Sequence, residues 1–150
     1  MMFERVLLAF DGSEAARRAL ADIVPIASLS HGLVKLLAVL PFPMDISEGW
    51  AHGEIAEIRT IETPLRDKRA SMMLKLEIER LEAMNITVQG DVVFGDPVEE
   101  IVRAAQAFHA DLIVLGHQRY NSWIERWWRG TTAEAVIERA HCNVFISIHD

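Results

Sequence analysis

Only one cysteine, Cys142, stands in 150 residues. A single thiol closes no internal disulfide, so the chain is not a disulfide-stapled secreted scaffold, and a reducing, cytoplasmic setting is expected. No apolar run approaches the roughly 18 residues that cross a bilayer. Glu4 and Arg5 interrupt the start, so no secretory leader is expected. Positive charge is in deficit, with 15 Lys and Arg against 22 Asp and Glu and a net charge of -7. Neither nucleic acid nor an anionic membrane is therefore expected as a partner. Catalytic signatures are missing as well. There is no Gly-x-Ser-x-Gly elbow, no Walker lysine after a glycine loop, and no Ser, His, Asp order matching a hydrolase motif. The six histidines show no metal-ligand spacing, and adjacent His141 and Cys142 seldom serve one ion without further ligands. Cys142 reads as a small buried hydrophobe.

What is present is ordinary globular material. Half of the residues are hydrophobic and a quarter are charged, enough for one domain over residues 1–150 with a sizeable core. Arg5 to Phe10 is a continuous apolar run, as in a strand buried on both faces, and it stops at Asp11-Gly12-Ser13. Ala16, Ala19, Leu20, Ile23 and Ala27 then recur at helical spacing, with Pro25 inside and Ser30-His31-Gly32 at the stop. Leu33 to Val39 reads as a second buried strand and residues 41–53 as a loop. Residues 54–62 are ambiguous; Thr63-Pro64 reads as an N-cap opening a helix to about Met84. Thr87 to Phe94 alternates like a half-exposed edge strand. Asp96 to Glu99 forms a capping box before a helix that buries Val98, Ile101, Val102 and Ala105. Leu112 to Leu115 is a buried strand ending at Gly116. Thr131 and Glu134 form a second capping box, whose helix buries Ala135, Val136 and Ile137 before a last strand, Asn143 to Ile148.

Strands alternating with helices imply an α/β fold: a doubly wound, Rossmann-like parallel sheet with helices on both faces. Ligands of such sheets bind beyond the strand C-termini, where the strand order reverses. If the first and fourth strands are neighbours, Asp11 and Gly116 face one another across that crevice.

An ordered set of motifs fills this frame. They are Leu8-Ala-Phe-Asp-Gly-Ser-Glu14, Gly95-Asp-Pro97, Ala110-Asp-Leu-Ile-Val-Leu-Gly116, Gly130-Thr131 and Ala140-His-Cys-Asn-Val144. Together, and over essentially the whole chain, they resemble the universal stress protein family. The resemblance implies a five-stranded sheet in the order 3-2-1-4-5, related to the adenine-nucleotide alpha-hydrolase folds. It also implies homodimers, commonly through the last strand, here Asn143 to Ile148. The family's nucleotide-binding branch implies ATP or AMP as ligand, with Mg2+ accompanying the phosphates. That branch carries Gly-x-x-Gly, nine residues, then Gly-Ser or Gly-Thr. Here Gly116 and Gly130-Thr131 match its ends. Arg119 replaces the second glycine, and ten residues, Tyr120 to Arg129, fill the spacer. Asp11 matches the family's aspartate near the ribose or metal, and Val39 its adenine-side valine. The implied site is Ala9, Asp11, Val39, Leu115, Gly116, Gln118, Arg119, Gly130, Thr131, Thr132 and Ala133. A second branch, like universal stress protein A, has a degraded loop and does not hold ATP. The first branch implies a signalling or structural nucleotide, hydrolysed slowly at most; the second implies a ligand-independent interaction dimer.

The residues leave several readings open. Arg119 either blocks phosphates that need close backbone approach or supplies charge in place of amides. Arg119, Arg126 and Arg129 against Glu125 give residues 119–130 a charge of +2, either an anion patch or a solvated face. Trp123, Trp127 and Trp128, with Trp50 in the other loop, form either a packed lid or a surface for a base or a protein partner. Asp11 either caps the first helix or meets the ligand. Thr131 caps its helix, a role compatible with phosphate binding. His117 is structural or touches a phosphate.

Overall fold

The computed structural model describes residues 3–40, 54–118 and 133–149. The loop at 41–53 and the tryptophan segment lie outside them, as does Thr131 of the second capping box.

Val6, Leu7 and Leu8 alternate across the middle of the sheet, and all three are fully buried. That explains their unbroken apolar character: a central parallel strand meets a helical layer on each face. They belong to β1, Arg5–Ala9, which pairs in parallel with β2, Leu33–Leu40, on one side and β4, Leu112–Gln118, on the other. β3, Thr87–Phe94, flanks β2, and β5, Asn143–His149, flanks β4. The order is β3-β2-β1-β4-β5, as the resemblance implies. β3 lies at an edge of the described sheet, which accounts for its half-polar pattern.

Each face carries its own core. On one, Val6, Leu8 and Phe10 meet Leu20 and Ile23 of α1, Glu14–Ser30, and Leu74 and Leu81 of α2, Glu54–Glu82. On the other, Leu7, Ile113 and Leu115 meet Ile101, Ala105 and Phe108 of α3, Pro97–Phe108, and Val136 of α4, residues 133–139.

Several expectations need correction. α2 begins at Glu54, so the ambiguous stretch is helical and Thr63-Pro64 lies inside the helix instead of opening it. The two situations look alike in sequence, because proline suits a first helical turn and elsewhere removes one ladder bond. β4 runs past Gly116 to Gln118. Ile137 is exposed, and Val98 is only half-buried. The helix stop after Ser30 is made by His31, with φ of 53° and its N–H on the Ala27 carbonyl. Asn85 and His109 take the same left-handed conformation after α2 and α3. These residue types tolerate it better than branched ones.

The amino end of the sheet is clasped by Asp111. Its carboxylate accepts from the N–H groups of Glu4 at 2.8 Å and Arg5 at 3.1 Å. Its own N–H donates to the Arg5 carbonyl at 2.9 Å. Arg5 Nε donates to the Phe108 carbonyl at 2.6 Å, and its guanidinium lies 4.7 Å from the Phe108 ring centre. One side chain thus fastens β1 to the start of β4. Asp111→Ala removes both charge-assisted bonds and should cost about 2–4 kcal/mol, read as a lower urea midpoint with an unchanged slope.

Candidate functional site

The apolar run of β1 ends in a turn whose three residues have separate tasks. Asp11 Oδ1 accepts from the Ser13 N–H at 2.9 Å. Gly12 adopts φ of +80°, and a Cβ there would stand 2.5 Å from Met73 Sδ. Ser13 then caps α1, its Oγ accepting from the Ala16 N–H at 3.1 Å. The cap therefore belongs to Ser13. Asp11 shapes the turn and keeps an exposed carboxylate beside the sheet's carboxyl end.

β1 and β4 are neighbours, with Leu8 opposite Val114. Beyond their ends lies a cavity of about 260 Å³, near the lower end of ordinary small-molecule sites (about 300 Å³). Its floor and walls come from six elements and the turn after β1. Ala9 closes β1 and Phe10 and Asp11 follow it, Ser13 and Ala16 open α1, and Leu37 and Val39 come from β2. Pro97 and Ile101 come from α3, Leu115, Gly116 and His117 from β4, and Ala133 from α4. The result is an apolar slot with one carboxylate, one hydroxyl and one imidazole among its described lining residues.

Six of the residues expected at the site meet here: Ala9, Asp11, Val39, Leu115, Gly116 and Ala133. Gln118 closes β4, and its side chain lies outside the described residues. Arg119, Gly130, Thr131 and Thr132 lie outside the described residues, as do Trp123, Trp127 and Trp128. Sequence reasoning missed Phe10, Leu37, Pro97 and Ile101. Their apolar character marks them equally well as core, and only strand order makes them neighbours.

Gly116 has a reason of its own. A Cβ there would lie 2.6 Å from the Ala15 carbonyl carbon and 2.9 Å from the Ala16 nitrogen. The first turn of α1 therefore packs on the bare backbone of β4. Its φ is not in the left-handed region, where the described glycines are Gly12 and Gly95. Crowding by the protein's own helix thus demands this glycine, whatever ligand is present.

Two other places hold reactive residue types. Ser147 Oγ donates to Asp22 Oδ2 at 2.5 Å and lies 2.7 Å from His149 Nε2. The residue types are those of a hydrolytic triad, but the arrangement is not. Asp22 bonds the hydroxyl, whereas a triad aspartate orients the imidazole, and Ser147 is buried. The cluster ties β5 to α1. Cys142 is half-buried; burial pushes its thiol up, and the Asp111 carboxylate adds to the shift, against a lowering hydrogen bond with the Ile113 backbone. No group of three His, Cys, Asp or Glu placed to hold a metal occurs among the described residues.

The comparisons with known proteins bear on this geometry. The profile of the universal stress protein family matches residues 2–147. The chain belongs to that family. A universal stress protein of Thermus aquaticus is 31% identical over 146 residues, covering 97% of this chain and 98% of its own. Among solved structures, hypothetical protein MJ0577 superposes with a TM-score of 0.82 at 22% identity, over 100% of this chain and 99% of that one. A universal stress protein in complex with cAMP gives 0.67 at 21% identity, covering 98% of each chain. Another, from Archaeoglobus fulgidus in complex with dAMP, gives 0.62 at 21% identity, over 97% of this chain and 98% of that one. At such identities the likeness is one of fold. Among the described residues, no helix of this universal stress protein is long and apolar enough to cross a membrane.

Two outcomes follow from the local geometry. Gly116→Ala should destabilise by about 1–3 kcal/mol through overpacking against α1, seen in thermal melts without any nucleotide. Cys142 should react with iodoacetamide at pH 8 more slowly than free cysteine. A raised thiol holds less thiolate at that pH, so the rate should keep climbing as pH rises further.

Proposed function

We propose that this universal stress protein binds an adenine nucleotide, ATP or AMP, in the crevice between the ends of β1 and β4. The observation that carries the reading is the pairing of Asp11 with an apolar slot in one cavity at the strand-order reversal. A flat base suits the slot, set against Val39, Leu37 and Ile101. A ribose hydroxyl suits Asp11, whose exposed carboxylate accepts hydrogen bonds. The phosphates, with any Mg2+, fall to Arg119, Gly130, Thr131 and Thr132. The family relatives in complex with cAMP and dAMP support adenine as the base. In this reading the nucleotide is a signal or structural ligand, hydrolysed slowly at most. The protein works in the cytoplasm as a homodimer, joined along Asn143 to Ile148, and the tryptophans at 123, 127 and 128 are its surface for a protein partner.

One observation favours a second reading, a nucleotide-free dimer like universal stress protein A. Gly116 is demanded by helix packing, so its presence does not argue for phosphate. What remains of the glycine motif then departs from the binding pattern at Arg119 and in the spacer.

Isothermal titration of the stripped protein with ATP and AMP separates the two. Saturable binding is expected, with Asp11→Ala weakening it by about 10–100-fold, the size of one hydrogen bond to a charged group. Silence at millimolar concentration, together with no adenine nucleotide released on denaturing the purified protein, rejects the first reading. If Arg119→Gly then creates ATP affinity, the second is established.

A further inference from the structure

The exposed apolar side chains of this molecule are not scattered evenly. Seven large ones stand out among the described residues, and three of them, Leu65, Met72 and Leu76, lie on α2. They are 53%, 59% and 65% exposed. Their spacing of seven and four residues keeps them within about 40° of one another around a helix turning ~100° per residue. Ala70, Leu74 and Leu81, the buried side of the same helix, lie opposite. α2 therefore has two apolar faces: one on the sheet, one facing away from it.

The outward face is also basic. Lys68, Arg69 and Lys75 are exposed and fall on it by the same spacing, against one acid among the described side chains, Glu79. This patch is positive on a chain whose net charge is -7. A row of apolar residues flanked by cations is a recognition face for a helix with apolar positions at three- and four-residue spacing and acids beside them. We propose that the outer face of α2 docks an acidic amphipathic helix of a partner protein.

Charge argues against the other occupants. A second copy using the same face must meet it with itself, setting Lys68, Arg69 and Lys75 near their own counterparts. An anionic bilayer would attract the face but repel the remainder of the acidic molecule. An acidic helix satisfies both the apolar row and the cations. The proposal is independent of nucleotide binding, because none of these residues lines the crevice.

The test uses the full chain and a fluorescein-labelled synthetic peptide of about three heptads, with Leu at a and d and Glu at e and g. Fluorescence anisotropy should show saturable binding that weakens as salt rises. Leu76→Glu, and separately the pair Lys68→Glu and Lys75→Glu, should each weaken it at least tenfold. Leu29→Glu, which changes an exposed leucine on α1, should leave it unchanged. All four positions are exposed, and unchanged thermal melts would show that the variants fold. The proposal is overturned by no saturable binding, or by equal binding of the α2 variants. It is equally overturned if a peptide with Lys at e and g binds as well, which would mark plain stickiness. Co-sedimentation with phosphatidylserine vesicles that Met72→Glu abolishes would assign the face to lipid instead. Self-association abolished by Met72→Glu would assign it to a second copy.

Discussion

The backbone contact between Gly116 and the first turn of α1 sets the geometry of the carboxyl end of this sheet. Helix and strand meet there with no side chain between them. That proximity fixes where α1 begins, and hence where Ser13 caps it and where Asp11 must turn the chain. It also fixes the mouth of the cavity, since Asp11, Ser13, Ala16 and Gly116 all lie along it. A larger residue at 116 would push the helix outward and change every one of these positions together. Crevice and core are thus one packing problem at this point.

The strand pattern was legible because burial on two faces leaves a plain mark. A run such as Val6-Leu7-Leu8 has no polar phase to confuse it, and parallel pairing then follows from the helices between strands. Asp11 and Val39 were legible through the family's motif order. Gly116 was found for an incomplete reason: a glycine reports that something comes close, without saying whether a phosphate or a helix does. Capping and ligand binding both stay open for Asp11 in the sequence, because aspartate and serine cap helices alike; the structure gives the cap to Ser13. The apolar floor was not legible at all. Phe10, Leu37 and Ile101 are equally at home in a core, and only the strand order makes them walls of a cavity. The start of α2 failed because Thr63-Pro64 carries a start signal that the helix overrides.

Two groups with reactive side chains have structural tasks in this fold. Its one thiol is held protonated by burial and a neighbouring carboxylate. The Ser147, His149 and Asp22 grouping is tied up in fastening β5 to α1. What the fold leaves exposed are recognition elements: a slot with a carboxylate at one end of the sheet, and a cationic apolar row on its longest helix.

The placement of β1 in the sheet bears on the order in which the chain assembles. Its partner on one side, β2, follows after a single helix, whereas its partner on the other joins Val6 to Leu112. Closing a longer loop costs more entropy, though only logarithmically. The β1–β2 unit therefore has the head start, and α1 can settle on it early. The bare backbone on which the first turn of α1 rests arrives only with Gly116, and Asp22 gains its hydroxyl partner only with Ser147. During synthesis, which proceeds from the amino end, the cavity mouth cannot take its final shape until the last third of the chain has emerged. Any ligand that needs both sides of the crevice would then act on a finished molecule and not as a template for folding.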